Sequence, residues 1–160
     1  MVCLDTMVVL WGIQSYADEG QKGMISRTKS YLKALSEKGE SVMIPTPVVS
    51  ECLVGLSEDQ MNAQRALIEG RFFIPAFDLS AAVEAARLLS NKHAFDLARS
   101  KGAKREQLKV DAQIAAIAIV NGAEKIISHD AHMKTVAQNR IPVEEVPDIP
   151  EQLDLLGEDV

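Results

Sequence analysis

Residues 110–130 read VDAQIAAIAIVNGAEKIISHD. The run from Val110 to Val120 carries one charge, Asp111, and is otherwise almost wholly apolar. Asn121-Gly122 then supplies a strong helix stop. Lys125-Ile126-Ile127-Ser128 is a short apolar segment of strand type, and a further helix is expected to begin near Asp130. A buried helix feeding a buried strand that feeds another helix is the repeating unit of a parallel sheet covered on its faces.

Working outward, the same alternation recurs. Val2-Cys3-Leu4 is apolar, ends at Asp5 and predicts a first strand. Val42-Met43-Ile44 and Phe72-Phe73-Ile74 predict a second and a third, Lys125–Ser128 is the fourth, and Val143–Val146 reads as a last short one. Between them, Ile25–Lys38 has helical spacing and a stop at Gly39. Thr46 as N-cap and Pro47 at the first helical position open a helix that carries Glu51 and runs to about Gly55. Met61–Glu69 predicts a helix ended by Gly70, and Ser80 is read as the cap of a long helix from Ala81 to about Ser100. Trp11–Gly23, with three glycines, reads as a loop or loosely helical connection, and Ser100–Lys109 as a charged connection. The expected fold is α/β, with a mostly parallel central sheet of four to five strands flanked by helices on both faces. The 160 residues fit one domain, with the acidic tail after Pro150 peripheral.

Hydrophobic residues make up 47% of the chain and charged residues 25%, which excludes wholesale disorder. No apolar run is long enough to cross a bilayer, and the start reaches a charge at Asp5 without a basic leader. Cytoplasmic residence is the expectation. Cys3 and Cys52 each sit in an apolar stretch without a CxxC partner, so both are expected as buried thiols and neither founds a zinc site. The net charge of -6 argues against a surface that coats nucleic acid broadly. It leaves a nuclease open, because metal-binding carboxylates count as negative until they are loaded.

Ligands of open parallel sheets bind at the carboxyl ends of the strands. Asp5 follows the first strand, Asp130 follows the fourth after Ser128-His129, and Glu51 lies one turn into the helix after the second. Asp111 is placed in the first turn of the apolar helix that precedes the fourth strand. Singly, each has an ordinary explanation as a turn, cap or solvated residue. Together, four acids at one sheet edge would repel one another unless a cation sat among them. Mg2+ or Mn2+ is the expected cofactor, since both prefer oxygen ligands and few histidines or thiols are on offer. Such a cation activates water and neutralises a phosphodiester, so the chemistry points to phosphoryl hydrolysis.

The segments Leu4-Asp5-Thr6, Pro47-Val48-Val49-Ser50-Glu51, Asp111–Ala116 and Ser128-His129-Asp130 resemble, in order and spacing, the four acidic motifs of PIN-domain ribonucleases. The resemblance spans roughly Met1 to Val146. It implies that Asp5, Glu51, Asp111 and Asp130 hold the metal and act as catalytic residues, with Thr6 and Ser128 supporting them. It also implies RNA as substrate. Many relatives are toxins of bacterial toxin–antitoxin pairs, often dimeric, so an antitoxin protein and a second copy are the implied partners. Met7, where a small polar residue is common, and Met133, where an aromatic is common, depart from the pattern.

Lys101, Lys104, Arg105 and Lys109 form a basic stretch just before Asp111. Beside a phosphodiester site, Lys104, Arg105 and Lys109 are candidates for RNA binding. His129 and His132 flank Asp130 but read first as solvent-facing loop residues, and His93 as surface. Met24, Met43, Met61 and Trp11 read as packing residues. A haloacid-dehalogenase-type phosphatase would need a second Asp where Met7 stands, and a receiver domain finds only Asp78 as a poor phospho-acceptor. No glycine motif that cradles phosphate is present. The rival of another class is a non-catalytic PIN-like scaffold that binds a partner protein.

Overall fold

In the computed structural model, which describes residues 1–100 and 102–149, four short parallel strands lie in the order β2-β1-β3-β4. They are β1 (Val2–Leu4), β2 (Val42–Met43), β3 (Lys125–Ile127) and β4 (Val143–Glu144). Cys3 of β1 is paired with Met43 on one side and Ile126 on the other, so β1 is central. Its three residues and Ile126 and Ile127 are buried, as expected of strands covered on both faces. From β1 the chain goes to one side for β2 and later to the other side for β3. The topological switch therefore lies beside β1, where open parallel sheets place their ligand crevice.

The helices are α1 (Thr6–Gly12), α2 (Gly23–Glu37), α3 (Thr46–Leu53), α4 (Glu58–Glu69), α5 (Leu79–Leu89), α6 (Lys92–Ser100), α7 (Arg105–Val120) and α8 (Ala131–Ala137). The apolar run singled out above is the middle and end of α7, which packs between α5 and α8. Eight of its residues are buried, four of them alanines that let its neighbours approach closely. Gly12, at the end of α1, makes another close approach. A Cβ there would lie 2.6 Å from Leu32 Cδ1 and 2.7 Å from Thr28 Cγ2 of α2.

Several expectations need correction. Phe72-Phe73-Ile74 is not a strand: only Phe73 bridges to Met43, and Pro75, which has no N–H, removes the next rung, although its carbonyl accepts from Thr46 N at 3.1 Å. The long helix from Ala81 to Ser100 is two helices. Asp78, not Ser80, caps the first through Ala81 N at 2.9 Å. Ser90 ends it, turning its hydroxyl onto the Ala86 carbonyl at 2.7 Å. Thr46 is the first residue of α3 rather than its cap, and its hydroxyl accepts from Phe77 N at 3.3 Å. The Trp11–Gly23 connection is shorter than read, because α1 reaches Gly12 and α2 starts at Gly23. Tertiary burial of Val8, Val9 and Trp11 outweighs the weak helix propensity of that segment. Within the charged connection before Asp111, α7 already begins at Arg105, so Asp111 sits in its second turn. Met43 and Trp11 are buried as expected, whereas Met61 is exposed. Both cysteines are free and buried, and burial pushes the Cys52 thiol up to about 12. The acidic tail from Pro150 onward lies outside the described residues, as does Lys101.

Candidate functional site

Asp5 leaves the carboxyl end of β1 and caps α1. Its backbone N–H extends the ladder to the Ile127 carbonyl at 3.1 Å, which fixes Asp5 beside the end of β3. Ser128 Oγ donates to Asp5 Oδ2 at 2.5 Å, and Thr6 N donates to Asp5 Oδ1 at 2.7 Å. Thr6 Oγ1 in turn donates to Glu51 on α3. On the other side, Asp130 N donates to Ser128 Oγ at 3.0 Å. Asp130 caps α8 by accepting from His132 N at 2.7 Å, so the capping role and the place at the sheet edge coexist. Ser128, buried between Asp5 and Asp130, links the ends of β1 and β3.

Asp111 reaches the same place from α7. It is 7% exposed, and its Oδ2 is buried with no hydrogen-bond partner. Burial first, and then the charges of Asp130, Asp5 and Glu51, push its carboxyl up to about 8. Asp5 is raised as well, mainly by burial. The hydrogen bonds from Ser128 and Thr6 oppose that shift, while Asp130 and Glu51 add to it. Asp130 and Glu51 thus act electrostatically on Asp5, and all three on Asp111. Their oxygens are not drawn together: among the described residues no three His, Cys, Asp or Glu side chains are gathered tightly enough to enclose a metal ion. Like charges without a counter-ion keep apart, and here hydrogen bonds hold three of the four, Asp5, Glu51 and Asp130, in place.

Lys104, Arg105 and Lys109 are exposed at the start of α7, with Arg105 and Lys109 one turn apart on the same face. The histidines differ from expectation. His129 Nε2 accepts from Val146 N at 3.1 Å, and its ring meets Trp11 edge-on at 5.1 Å, so it packs rather than facing solvent. Burial lowers its pKa. His132 is half-buried, and His93 is exposed as expected. Gln107 was missed. Its Nε2 donates to Asp130 Oδ2 at 2.9 Å, and its position one turn before Asp111 was the signal that could have found it. A cleft of about 710 Å3 lies away from the acids, between α2 and the outer side of β2, with Lys29, Arg71 and Phe73 among its walls. Its size does not make it the chemical site, since none of the four acids lines it.

The family model described as PIN domain matches residues 2–139. No curated protein sequence matches the chain. Among solved structures, the fold is similar to a chain in the crystal structure of VapBC2 from Rickettsia felis bound to a DNA fragment from their promoter. That similarity has a TM-score of 0.63 and 17% identity, and it covers 91% of this chain and 98% of the other.

Proposed function

Because the chain belongs to the PIN domain family, we propose that it is a metal-dependent endoribonuclease whose acidic site comprises Asp5, Glu51, Asp111 and Asp130. One observation carries this reading: a buried, unpartnered carboxylate oxygen on Asp111 lies within electrostatic reach of three other acids. Folding gains nothing from such an arrangement in the absence of a cation. The donor set is wholly oxygen, which fits Mg2+ or Mn2+ and not a thiolate-bound metal. When bound, the cation supplies positive charge to a phosphodiester and lowers the pKa of water.

The chain's own residues divide the remaining work. Asp5 and Asp111 offer buried carboxylates. Ser128 fixes the plane of Asp5 and the start of the Asp130 turn, and Thr6 fixes Glu51. Lys104, Arg105 and Lys109 supply exposed cations for the phosphates of an RNA strand, with cytoplasmic RNA as the proposed target. The likeness to a chain of VapBC2 supports the further reading that this domain, residues 1–160, is the toxin of a toxin–antitoxin pair, with an antitoxin protein and a second copy as partners. No described helix is long and apolar enough to cross a membrane.

The separated oxygens of the acids favour the competing reading, a non-catalytic scaffold that binds a partner protein. RNA cleavage separates the two. The nuclease reading expects cleavage with Mg2+ or Mn2+, none in excess chelator, and none from Asp111→Asn, whose amide is a weak ligand for a hard cation. Undiminished cleavage in chelator or by the variant defeats the metal mechanism. A folded wild type that neither binds Mn2+ nor cleaves RNA establishes the scaffold.

A further inference from the structure

Gln107 and Asp111 stand four residues apart on α7 and face the same side. Asp130 is therefore held between two helices: its Oδ1 by the first turn of α8 through His132 N, and its Oδ2 by the Gln107 amide at 2.9 Å. Asp130 is also the charge that acts most strongly on Asp111. With only the α8 cap to hold it, the Asp130 carboxylate would be free to turn away from Asp111 and relieve that repulsion. The Gln107 contact opposes this motion. It does so with a neutral donor, so the negative charge at Asp130 stays uncompensated, unlike that of Glu69 beside Arg65 or Glu144 beside Lys125.

We infer that Gln107 is a positioning residue that holds the Asp130 carboxylate toward Asp111 in readiness for the divalent cation. This rests on the nuclease reading above, and it assigns Gln107 no contact with substrate. A carboxylate oxygen has two lone pairs, so Asp130 Oδ2 can keep the amide while it ligates. Holding the ligand in place before binding reduces the ordering that binding must supply.

The test is Gln107→Met, which keeps the length and volume of the side chain and removes the donor. Gln107 is exposed, so the melting temperature in chelator should stay within about 2 °C of wild type, as for surface substitutions generally. Titration calorimetry with Mn2+ alone should show affinity weaker by about tenfold, the lower end for residues that orient metal ligands. RNA turnover should fall at limiting Mn2+ and recover at saturating Mn2+, which a merely structural role would not produce. Wild-type Mn2+ affinity in the variant overturns the assignment, as does a loss of turnover that saturating Mn2+ does not restore. If wild type gives no Mn2+ binding, the metal reading itself falls and takes this one with it. That outcome is distinct from a wild type and a variant that bind Mn2+ equally well.

Discussion

Asp111→Asn should flatten the pH dependence of stability in the cation-free protein. The Asp111 carboxyl stands at about 8 in the fold, against about 3.9 for an unperturbed Asp in an unfolded chain. A raised folded pKa favours the fold only while the group is protonated. Its contribution is fully present below about pH 4 and is lost progressively as pH rises toward 8. At 1.36 kcal/mol per pH unit, the loss is about 1.5 kcal/mol at pH 5 and about 5 kcal/mol at pH 8, a fall of roughly 3 to 4 kcal/mol. An amide does not titrate, so the variant lacks this fall. The cost of fitting the variant's amide into a buried place is a constant offset of about 1–3 kcal/mol and leaves the slope untouched. Urea unfolding followed by circular dichroism, from pH 5 to pH 8 in chelator, measures both proteins. The gap between them should shift in the variant's favour by about 3 kcal/mol across that range. Adding Mg2+ at pH 8 should stabilise wild type more than the variant, because the cation binds the native site only. Parallel curves, agreeing within about 1 kcal/mol from pH 5 to pH 8, would refute the reasoning that Asp111 is a strained buried acid.

Three other outcomes are expected. Gly12→Ala should destabilise by about 1–3 kcal/mol in urea unfolding, since its Cβ meets Leu32 and the fully buried Thr28 closer than 3.0 Å; an unchanged midpoint would mean that α1 and α2 separate freely. Glu84 is buried on α5 and paired with the far more exposed Arg87 and Arg140, the latter an ion pair without a well-directed hydrogen bond. Arg140→Ala should therefore cost about 1–3 kcal/mol by stripping a buried acid of one cation, and Glu84→Gln less, because both arginines can turn to water; the reverse order in melts would reject this account. Replacing Lys104 and Arg105 together by Ala should weaken RNA binding and flatten its salt dependence, since fewer counter-ions are released; an unchanged slope would return both to the solvated surface.

Period and composition in the sequence were enough for the parallel α/β class, for β1 and β3, and for the apolar part of α7 from Val110 onward. Val2–Leu4 and Lys125–Ile127 are buried runs of strand type, and a helix that is apolar all round has to lie inside. The four acids stand out in the sequence by position: Asp5 directly follows β1, Asp130 follows β3 after Ser128-His129, Glu51 lies one turn into the helix after β2, and Asp111 interrupts an apolar helix, while the joint action of the other three on Asp111 came only from the structure. Helix boundaries were less legible, because competing caps of similar strength, Asp78 against Ser80, are separated only by local geometry. Phe72-Phe73-Ile74 has strand composition, yet whether a segment joins a ladder depends on its neighbour's register and, here, on Pro75. Tertiary structure alone decided that Asp111 Oδ2 has no partner, that Ser128 bridges Asp5 and Asp130, and that Gln107 reaches across to α8. The physical reason is range. Periodicity reports which face of an element avoids water, whereas hydrogen bonds and pKa shifts depend on the few ångströms between side chains far apart in the chain, such as Ser128 and Asp5.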